Sequence, residues 1–262
     1  MTNQQRTALI EQHIREHKYA DLHSLADRFE GSLSTVRRAL DSLEDRGIVR
    51  RHHGGASLVD LDVLNQEHDF LVRIQRQADQ KFAIASLIAA QVQPGTTVIL
   101  DGGSTTYAVA RLLAGKRVQV ITNSLPVASL FGEVGRTETI VSGGSILGRL
   151  GLLVGPLCEA SFEQMHADVA ILGGTGVTEN GVWNHNALVI AAQRKMIAAA
   201  ERTIFAIDAS KFGRKALSLT APFGPQITVV TDTRPTPAVE KAIESAGATL
   251  TLAGNEPAAS SA

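Results

Sequence analysis

Residues 32–56 read SLSTVRRALDSLEDRGIVRRHHGGA, and this stretch decides the fold of the N-terminal part of the chain. Ser32 is a good N-cap, and the helix that it begins is expected to end near Gly47. Three apolar residues recur at helical spacing on one face of that helix: Val36, Leu40 and Leu43. A strand, a tight glycine turn and a return strand are expected over residues 48–56. The stretch therefore predicts a helix followed by a basic β-hairpin.

Two further helices are predicted before this stretch. The first runs from about Asn3 to His17, and the second begins near Asp21, which is another good N-cap. A tight turn at Glu30-Gly31 joins the second helix to the third. Two helices joined by a short glycine-containing turn form a helix-turn-helix, whose second helix enters the major groove of DNA. Residues 1–58 are therefore predicted to be a winged helix-turn-helix domain.

A local basic cluster supports this interpretation. Between Ser32 and Ser57 there are five arginines and three acidic residues, and such a cluster is the form that an electrostatic footprint on nucleic acid takes. A solvated helix face is the alternative explanation, but the glycine hairpin behind the helix favours DNA. The expected groove-facing residues are Ser34, Thr35, Arg37 and Arg38. The expected wing residues are Arg50, Arg51 and His52.

Composition limits the class of protein. Of the 262 residues, 44% are apolar and 19% are charged, which is enough apolar material for a sizeable core. The net charge of −1 is an average over the whole chain, so it does not exclude a nucleic-acid partner. Cys158 is the only cysteine, which excludes an intramolecular disulfide and an all-cysteine metal site. No apolar run approaches the ~18 residues of a membrane span and the N-terminus does not resemble a signal peptide, so a cytoplasmic protein is expected.

Residues 13–17, HIREH, match the H-x-x-E-H pattern of inverted zinc peptidases. A zinc site would still need a third ligand and a substrate cleft. Two solvent-facing histidines on the first helix explain the same residues, and we expect neither a metal nor a cofactor.

Strands and helices alternate over residues 81–254. Strands are expected at residues 96–100, 118–122, 139–141, 169–172, 203–207, 227–231 and 249–252. Helices are expected at residues 82–91, 107–113, 126–132, 161–165, 188–200 and 237–246. This alternation predicts a Rossmann-like α/β domain with a mainly parallel sheet, in which ligands bind beyond the carboxyl ends of the strands. Residues 59–80 are expected to be a linker that partly packs, and residues 255–262 a disordered tail.

Small polar residues follow the predicted strands. After the first strand comes DGGSTT, residues 101–106, where glycines let backbone N–H groups approach an anion and a helix N-terminus favours negative charge. A phosphate fits this loop. No Gly-Lys-Ser/Thr follows, and residues 174–179 do not complete a dinucleotide fingerprint. Four other strand ends carry similar turns, at residues 122–124, 142–145, 173–176 and 208–213. Each of these sequences alone is typical of an ordinary turn. Because they follow successive strands of one sheet, they are expected to meet at one crevice.

The N-terminal signature of DeoR-family bacterial transcription regulators is similar to this chain at residues 34–40, 43, 47 and 51–56. The sensor domain of that family resembles the chain at residues 101–106, 122–123, 143–144, 154–156 and 208–213. The resemblance covers roughly residues 3–252. It implies a sensor similar in fold to ribose-phosphate isomerases and CoA transferases, which binds phosphorylated sugars or their derivatives. It also implies a phosphate at residues 102–106, with further contacts from Asp101, Asn123, Asp208 and Lys211. The candidate effector-binding residues are Asp101, Gly102, Gly103, Ser104, Thr105, Thr106, Asn123, Gly143, Gly144, Gly174, Asp208 and Lys211.

This chain departs from the family pattern in three places. Ala39 stands where an aspartate is usual, and Glu30-Gly31 stands where a Gly-Val pair is usual. The stretch 186–189 lacks the glutamate that many members carry there. These differences put one local polar contact, the tightness of the turn and one effector contact in question.

The leading hypothesis is a DNA-binding repressor of a carbohydrate-utilisation operon, controlled by a phosphorylated sugar. It would bind palindromic operator DNA as a homo-oligomer, a dimer or tetramer, without a membrane partner. The alternative is a sugar-phosphate isomerase-like enzyme with an appended DNA-binding domain. In that enzyme Asp101, Asp208 and Lys211 would supply the acid, the base and the phosphate clamp. The missing acids near Asn186 and the lack of a nucleophile–base pair argue against catalysis.

Overall fold

The computed structural model describes residues 3–17, 19–29, 31–46, 48–52, 54–58, 70–135 and 137–254. The chain forms two compact units, Met1–Glu67 and His68–Ala262. Several predictions fall outside the described residues: those for Glu30, Gly47, His53, residues 59–69 of the expected linker and the tail from residue 255. Among the described helices, none is both long and apolar enough to cross a membrane.

The described part of the first unit, the head, contains three helices and a small sheet. The helices are α1 (Asn3–His17), α2 (Leu22–Arg28) and α3 (Leu33–Asp45). The strands are β1 (Tyr19–Asp21), β2 (Val49–His52) and β3 (Gly55–Leu58), which form an antiparallel sheet in the order β1-β3-β2. The hairpin of β2 and β3 is the predicted wing, whereas β1 was not predicted. The three helices bury one apolar core, which includes Ile10, Ile14, Leu25, Val36, Leu40 and Leu43.

Local hydrogen bonds explain where the helices of the head begin. The Asp21 carboxylate accepts from the N–H groups of His23 and Ser24 at 2.9 and 3.1 Å. The Ser32 hydroxyl accepts from the N–H of Thr35 at 3.3 Å. Both predicted N-caps are therefore confirmed. Each cap satisfies N–H groups of the first helical turn that have no partner inside the helix.

The turn between α2 and α3 lacks a side chain at Gly31, and Arg6 covers that position. The Gly31 N–H donates to the Ala26 carbonyl at 3.0 Å. A Cβ built on Gly31 would lie 3.3 Å from the Cδ atom of Arg6, and Arg6 Nε donates to the Phe29 carbonyl at 3.1 Å. An arginine of α1 thus covers the turn beside Gly31.

The second unit, the sensor, is an α/β domain. Its helices are α4 (Phe70–Gln75), α5 (Ala78–Gln91), α6 (Ser104–Leu113), α7 (Leu125–Val134), α8 (Pro156–Glu163), α9 (Ala187–Ala198) and α10 (Pro237–Ser245). The main sheet contains β4 (Thr97–Leu100), β5 (Gln119–Thr122), β6 (Thr139–Val141), β9 (Ala167–Leu172), β12 (Ala200–Ala206), β14 (Ile227–Thr231) and β15 (Thr249–Leu252). Smaller sheets are formed by β7 (Ser145–Leu147) with β8 (Leu152–Val154), and by β10 (Gly176–Thr178), β11 (Gly181–Asn184) and β13 (Ser218–Ala221).

The main sheet is parallel throughout, in the order β15-β14-β12-β9-β4-β5-β6. Alternate residues of one strand enter different cores: Val98 and Leu100 face the layer of α5, α6 and α7, while Ile99 faces the layer of α8, α9 and α10. Helices therefore cover both faces of the sheet, as the sequence predicted.

The strand order reverses at β4. From β4 the chain proceeds to β5 and β6 on one side, and it then returns to place β9 on the other side. Such a reversal opens a crevice at the carboxyl ends of the two strands, where open α/β sheets bind ligands. The residues at that point are Asp101, after β4, and Gly173, after β9.

Several predicted segments have other bounds in the structure. The helix expected at residues 107–113 begins at Ser104, so residues 104–106 of the expected loop form its first turn, and the strand expected at residues 203–207 begins at Ala200. Residues 70–75, within the expected linker, form a helix, and the next helix begins at Ala78 rather than at Phe82. The helix expected at residues 161–165 instead spans Pro156–Glu163, because Pro156 suits the first turn of a helix.

Candidate functional site

The exposed face of α3 carries the residues predicted to read DNA. Ser34, Arg37 and Arg38 are exposed and Thr35 is half-buried, while the opposite face of the helix lies in the core of the head. Within the described part of the chain, neither arginine has an ion pair or a side-chain hydrogen bond. Two cationic side chains without a partner among the described residues are therefore presented beside the N-terminal hydroxyls of the helix.

The wing is tied to α3 by Arg51. The Arg51 guanidinium forms an ion pair with Asp41, and its backbone N–H donates to Glu44 Oε1 at 2.9 Å. The guanidinium is thus already paired in the absence of DNA, which the sequence did not indicate. Arg50 and His52 lie in β2, but their side chains are outside the described residues.

The two histidines of the HIREH stretch contact one another. Their ring centroids are 4.1 Å apart, and His17 Nδ1 lies 3.0 Å from the His13 carbonyl oxygen. His13 also packs edge-on against Phe29 at 5.8 Å. Across the described residues there is no group of three or more side chains that could hold a metal ion. Packing and helix hydrogen bonding account for both histidines.

In the sensor, Asp101 lies at the reversal point of the sheet. Its side chain is 2% exposed, and Gln193 Nε2 donates to its Oδ2 at 2.6 Å. The same Gln193 nitrogen donates to the Gly173 carbonyl at 3.0 Å, which joins the two strand ends. Asp101 Oδ1 has no hydrogen-bond partner among the described residues. Burial raises the pKa of Asp101 to about 6, and the hydrogen bond from Gln193 opposes that rise.

Asn123 supplies a second buried oxygen without a donor. Its side-chain Nδ2 donates to the Leu153 carbonyl at 3.0 Å, and its backbone carbonyl accepts from the Leu153 N–H at 2.8 Å. These two bonds attach the β7–β8 hairpin to the end of β5. Asn123 Oδ1 is fully buried and, within the described residues, accepts no hydrogen bond. Because buried acceptors are normally satisfied, this atom and Asp101 Oδ1 indicate a place for a ligand that donates hydrogen bonds.

The glycine loop begins α6 without a side-chain cap. Gly103 precedes the helix with a φ of 126°, in a region that favours glycine, and no side chain accepts from the first turn. Thr106 Oγ1 donates back to the Gly103 carbonyl at 2.9 Å. The N–H groups at the start of this ten-residue helix can therefore serve an anion.

Asp208 and Lys211 lie at opposite ends of one turn of 3₁₀ helix, Ala209–Lys211. Asp208 Oδ1 accepts from the Ser210 N–H at 3.0 Å, so this buried carboxylate is also a cap. Its charge acts on both Arg73 and Lys81; the charge of Asp101 also acts on Arg73, and that of Lys211 acts on Lys81. The structure therefore brings Asp208 and Lys211 to the same region as Asp101.

The remaining predicted glycines have packing roles. A Cβ on Gly144, whose φ is 130°, would lie 2.6 Å from the Val154 carbonyl oxygen, so glycine is needed for the β7–β8 hairpin. A Cβ on Gly174 would lie 2.5 Å from Val182 Cγ1. Gly143 lies against Leu157, at an ordinary packing distance. These contacts explain Gly144 and Gly174 without a ligand, whereas the space around Gly143 does not require a glycine.

Three polar residues near the crevice were not predicted: Gln193, Arg73 and Lys81. Gln193 lies on α9, 92 residues after its partner Asp101, so no local pattern connects the two. Arg73 lies on α4, which the sequence presented as part of a linker. The spacing of Phe70 and Ile74 is the signal that could have identified this helix.

Comparison with known families matches both units. The model of the DeoR-like helix-turn-helix domain matches residues 6–61, and that of the DeoR C-terminal sensor domain matches residues 76–233. The chain belongs to the DeoR family.

Curated DeoR-family proteins resemble most of the chain. The glycerol-3-phosphate regulon repressor of Escherichia coli (strain K12) is 31% identical over 206 residues, which cover 78% of this chain and 81% of that protein. The L-fucose operon activator of Haemophilus influenzae is 30% identical over 232 residues, covering 87% and 91%. Among solved structures, ribose 5-phosphate isomerase A from Methanocaldococcus jannaschii aligns with a TM-score of 0.39 and 17% identity, over 52% of this chain and 54% of that one.

Membership of the DeoR family makes the chain a DNA-binding transcriptional regulator, as the sequence predicted. The competing interpretation as an enzyme finds no support among these relatives.

Two of the departures from the DeoR-family pattern have visible consequences. Ala39 is buried on α3, where it forms part of the core of the head. Asn186 caps α9, because its Oδ1 accepts from the N–H groups of Leu188 and Val189 at 3.0 and 3.2 Å. The stretch that carries an acid in many DeoR-family members therefore has a local structural role here.

Proposed function

We propose that this protein is a repressor of a carbohydrate-utilisation operon and that a phosphorylated sugar, bound in the sensor crevice, controls it. The observation that carries the proposal is the pair of buried oxygens without donors, Asp101 Oδ1 and Asn123 Oδ1. Sugar hydroxyls are hydrogen-bond donors, and the uncapped start of α6 favours a phosphate. The names of two relatives support the proposal, since one is a glycerol-3-phosphate regulon repressor and the other an L-fucose operon activator.

Each part of the crevice has a role in this proposal. Gly102, Gly103 and the first turn of α6, which contains Ser104, Thr105 and Thr106, hold the phosphate through backbone N–H groups and hydroxyls. Asp101 and Asn123 accept hydrogen bonds from the hydroxyls of the sugar, and Asp208 and Lys211 complete the polar wall. Gly144 lets the backbone at Val154 approach closely, Gly174 leaves room for the side chain of Val182, and Gly143 completes the turn after β6.

The head is proposed to bind operator DNA through α3 and the wing. Ser34, Thr35, Arg37 and Arg38 contact the major groove, and Arg50, Arg51 and His52 contact the backbone. A homo-oligomer presents two heads to a palindromic site. We assign residues 1–58 to the head domain, residues 59–80 to the connection and residues 81–254 to the sensor domain.

The DNA-binding half of the proposal is tested by the double variant Arg37→Ala/Arg38→Ala. Because each specific contact of this type contributes about 1–3 kcal/mol, we expect affinity for the operator to fall at least about 30-fold. The measurement is a gel shift with DNA from upstream of the gene, at fixed salt. Arg111→Ala/Arg149→Ala removes the same charge from exposed sites in the sensor and is the matched control. Specific binding by the first variant at the wild-type level would refute the assignment of α3.

The effector half is tested by a thermal-shift screen of the full chain against sugar phosphates, each paired with the same sugar without phosphate. A ligand that binds only the folded protein raises its melting temperature. We expect at least one sugar phosphate to do so and its unphosphorylated partner not to. Addition of that compound should then reverse the gel shift. A screen without any phosphate-dependent response would overturn the effector proposal.

A further inference from the structure

Helix α4 is attached to the sensor although it lies in the segment that joins the two units along the chain. Phe70 is 9% exposed, and its ring packs edge-on against Tyr107 of α6 with centroids 5.3 Å apart. The contact fixes the start of α4 beside the helix that follows the glycine loop. The residues of α4 are thereby placed next to the proposed phosphate site.

Arg73 is the charged residue of α4 that reaches this loop. A Cβ built on Gly103 would lie 3.9 Å from Arg73 Nη2. The guanidinium is half-buried, yet within the described part of the chain its side chain makes neither a hydrogen bond nor an ion pair. Burial lowers the pKa of Arg73, which the nearby carboxylates of Asp101 and Asp208 oppose. An arginine remains protonated under these conditions, so a cation without a bonded counter-ion faces the loop.

Lys81 holds the backbone of α4 in this position. Its Nζ donates to the Arg73 carbonyl at 2.5 Å and also to the Arg76 carbonyl, so it caps the C-terminal end of the helix. Lys81 is 5% exposed, and Gln77, between α4 and α5, has a left-handed φ of 51°. A non-glycine residue adopts that conformation only where its surroundings impose it. The position of Arg73 is therefore set by the fold of the sensor.

We propose that Arg73 binds the phosphate group of the effector, opposite the N–H groups that begin α6. The guanidinium offers a planar pair of donors that matches two phosphate oxygens, and the helix N-terminus offers backbone donors to the same group. This inference rests on the proposed effector site. It adds to that site a phosphate-binding residue, Arg73, which lies on a helix and not at the end of a strand. It also means that the segment leading to the head contributes directly to effector binding.

The test uses inorganic phosphate as the probe and the full-length chain. The melting temperature is measured across a phosphate titration, with sodium chloride at matched ionic strength as the reference. Four proteins are compared: the wild type, Arg73→Gln, Arg73→Lys and the exposed control Arg111→Gln. Wild type and control should show the same rise in melting temperature with phosphate. Arg73→Gln should need at least about tenfold more phosphate for the same rise, because a charge-assisted hydrogen bond is lost. The phosphate concentration that Arg73→Lys needs should lie between those of the wild type and Arg73→Gln, since an ammonium offers one point of contact.

The outcomes separate this inference from the effector proposal itself. If Arg73→Gln responds to phosphate as the wild type does, Arg73 is not a phosphate ligand, while the crevice remains the effector site. If Arg73→Gln does not fold, Arg73→Lys carries the test, and an unchanged response in that variant overturns the inference. If the wild type responds neither to phosphate nor to any sugar phosphate, both the effector proposal and the role of Arg73 are wrong.

Discussion

Replacing Asp101 by asparagine measures how strongly the crevice of the sensor disfavours a buried charge. In the folded protein the pKa of Asp101 is about 6, against an ordinary value of 3.8. The difference corresponds to about 3 kcal/mol of destabilisation by the ionised carboxylate at neutral pH. Asparagine keeps an oxygen that can accept from Gln193 and removes the charge.

The sign of the pH dependence follows from this raised pKa. Between roughly pH 4 and pH 6 the folded state binds more protons at Asp101 than the unfolded state does. The contribution of Asp101 to stability is therefore fully present below the unfolded pKa and is lost as the pH rises through about 6. The wild type should lose about 1.3 kcal/mol relative to Asp101→Asn between pH 5 and pH 7. The new Nδ2 group lacks an acceptor, but this cost is independent of pH and cancels in the comparison.

The assay is urea unfolding of the full chain, followed by the fluorescence of Trp183, the single tryptophan. Trp183 lies in β11 of the sensor, and its indole N–H donates to Thr178 Oγ1 at 2.9 Å. Glu244→Gln removes an exposed carboxylate from α10 and is the control. It should show the pH dependence of the wild type. A free-energy difference between Asp101→Asn and the wild type that stays constant from pH 5 to pH 7 would refute the reasoning.

Three further substitutions test the packing around the two sites. Leu40→Ala should destabilise the head by about 2–5 kcal/mol, because it empties a fully buried position, and circular dichroism during urea unfolding reports the loss. Ser32→Ala should destabilise α3 by about 1 kcal/mol through loss of the N-cap, visible as faster hydrogen exchange in that helix. Gly144→Ala should lower the melting temperature of the sensor, since the added methyl group would overlap backbone, whereas Gly115→Ala meets open space and should leave it nearly unchanged. Equal effects of the two glycine substitutions would contradict the assigned packing.

The features that were predictable from sequence are those set by local chemistry. Asp21 and Ser32 identify helix starts because a short oxygen-bearing side chain satisfies N–H groups two or three residues later. The parallel strands were predictable because strands buried on both faces are continuous apolar runs. The reversal of strand order could not be read in this way, because it depends on which strands pair across long distances in the chain.

The residues of the candidate site that directly follow strands were predictable from the sequence, whereas those that lie on helices were not. Asp101 and Asn123 were identified because each follows an apolar strand directly. Gln193 and Arg73 were missed because each meets the crevice through a tertiary contact of a helix. The short strands β7, β8, β10, β11 and β13 were also missed, because they belong to small antiparallel sheets outside the strand–helix alternation from which the main sheet was predicted.

Strand β1 has a mechanical consequence for control of DNA binding. It pairs with β3 over three residues, and Leu22, the first residue of α2, donates from its N–H to the Gly54 carbonyl in the turn of the wing. Together with the Arg51–Asp41 ion pair, these bonds clamp the wing to the helices at both of its edges. Among the described residues of the head, the wing is therefore held to the helices from two sides. In the proposed homo-oligomer, we expect a signal from the sensor to change the spacing or the relative angle of the two heads on their half-sites rather than the shape of one head.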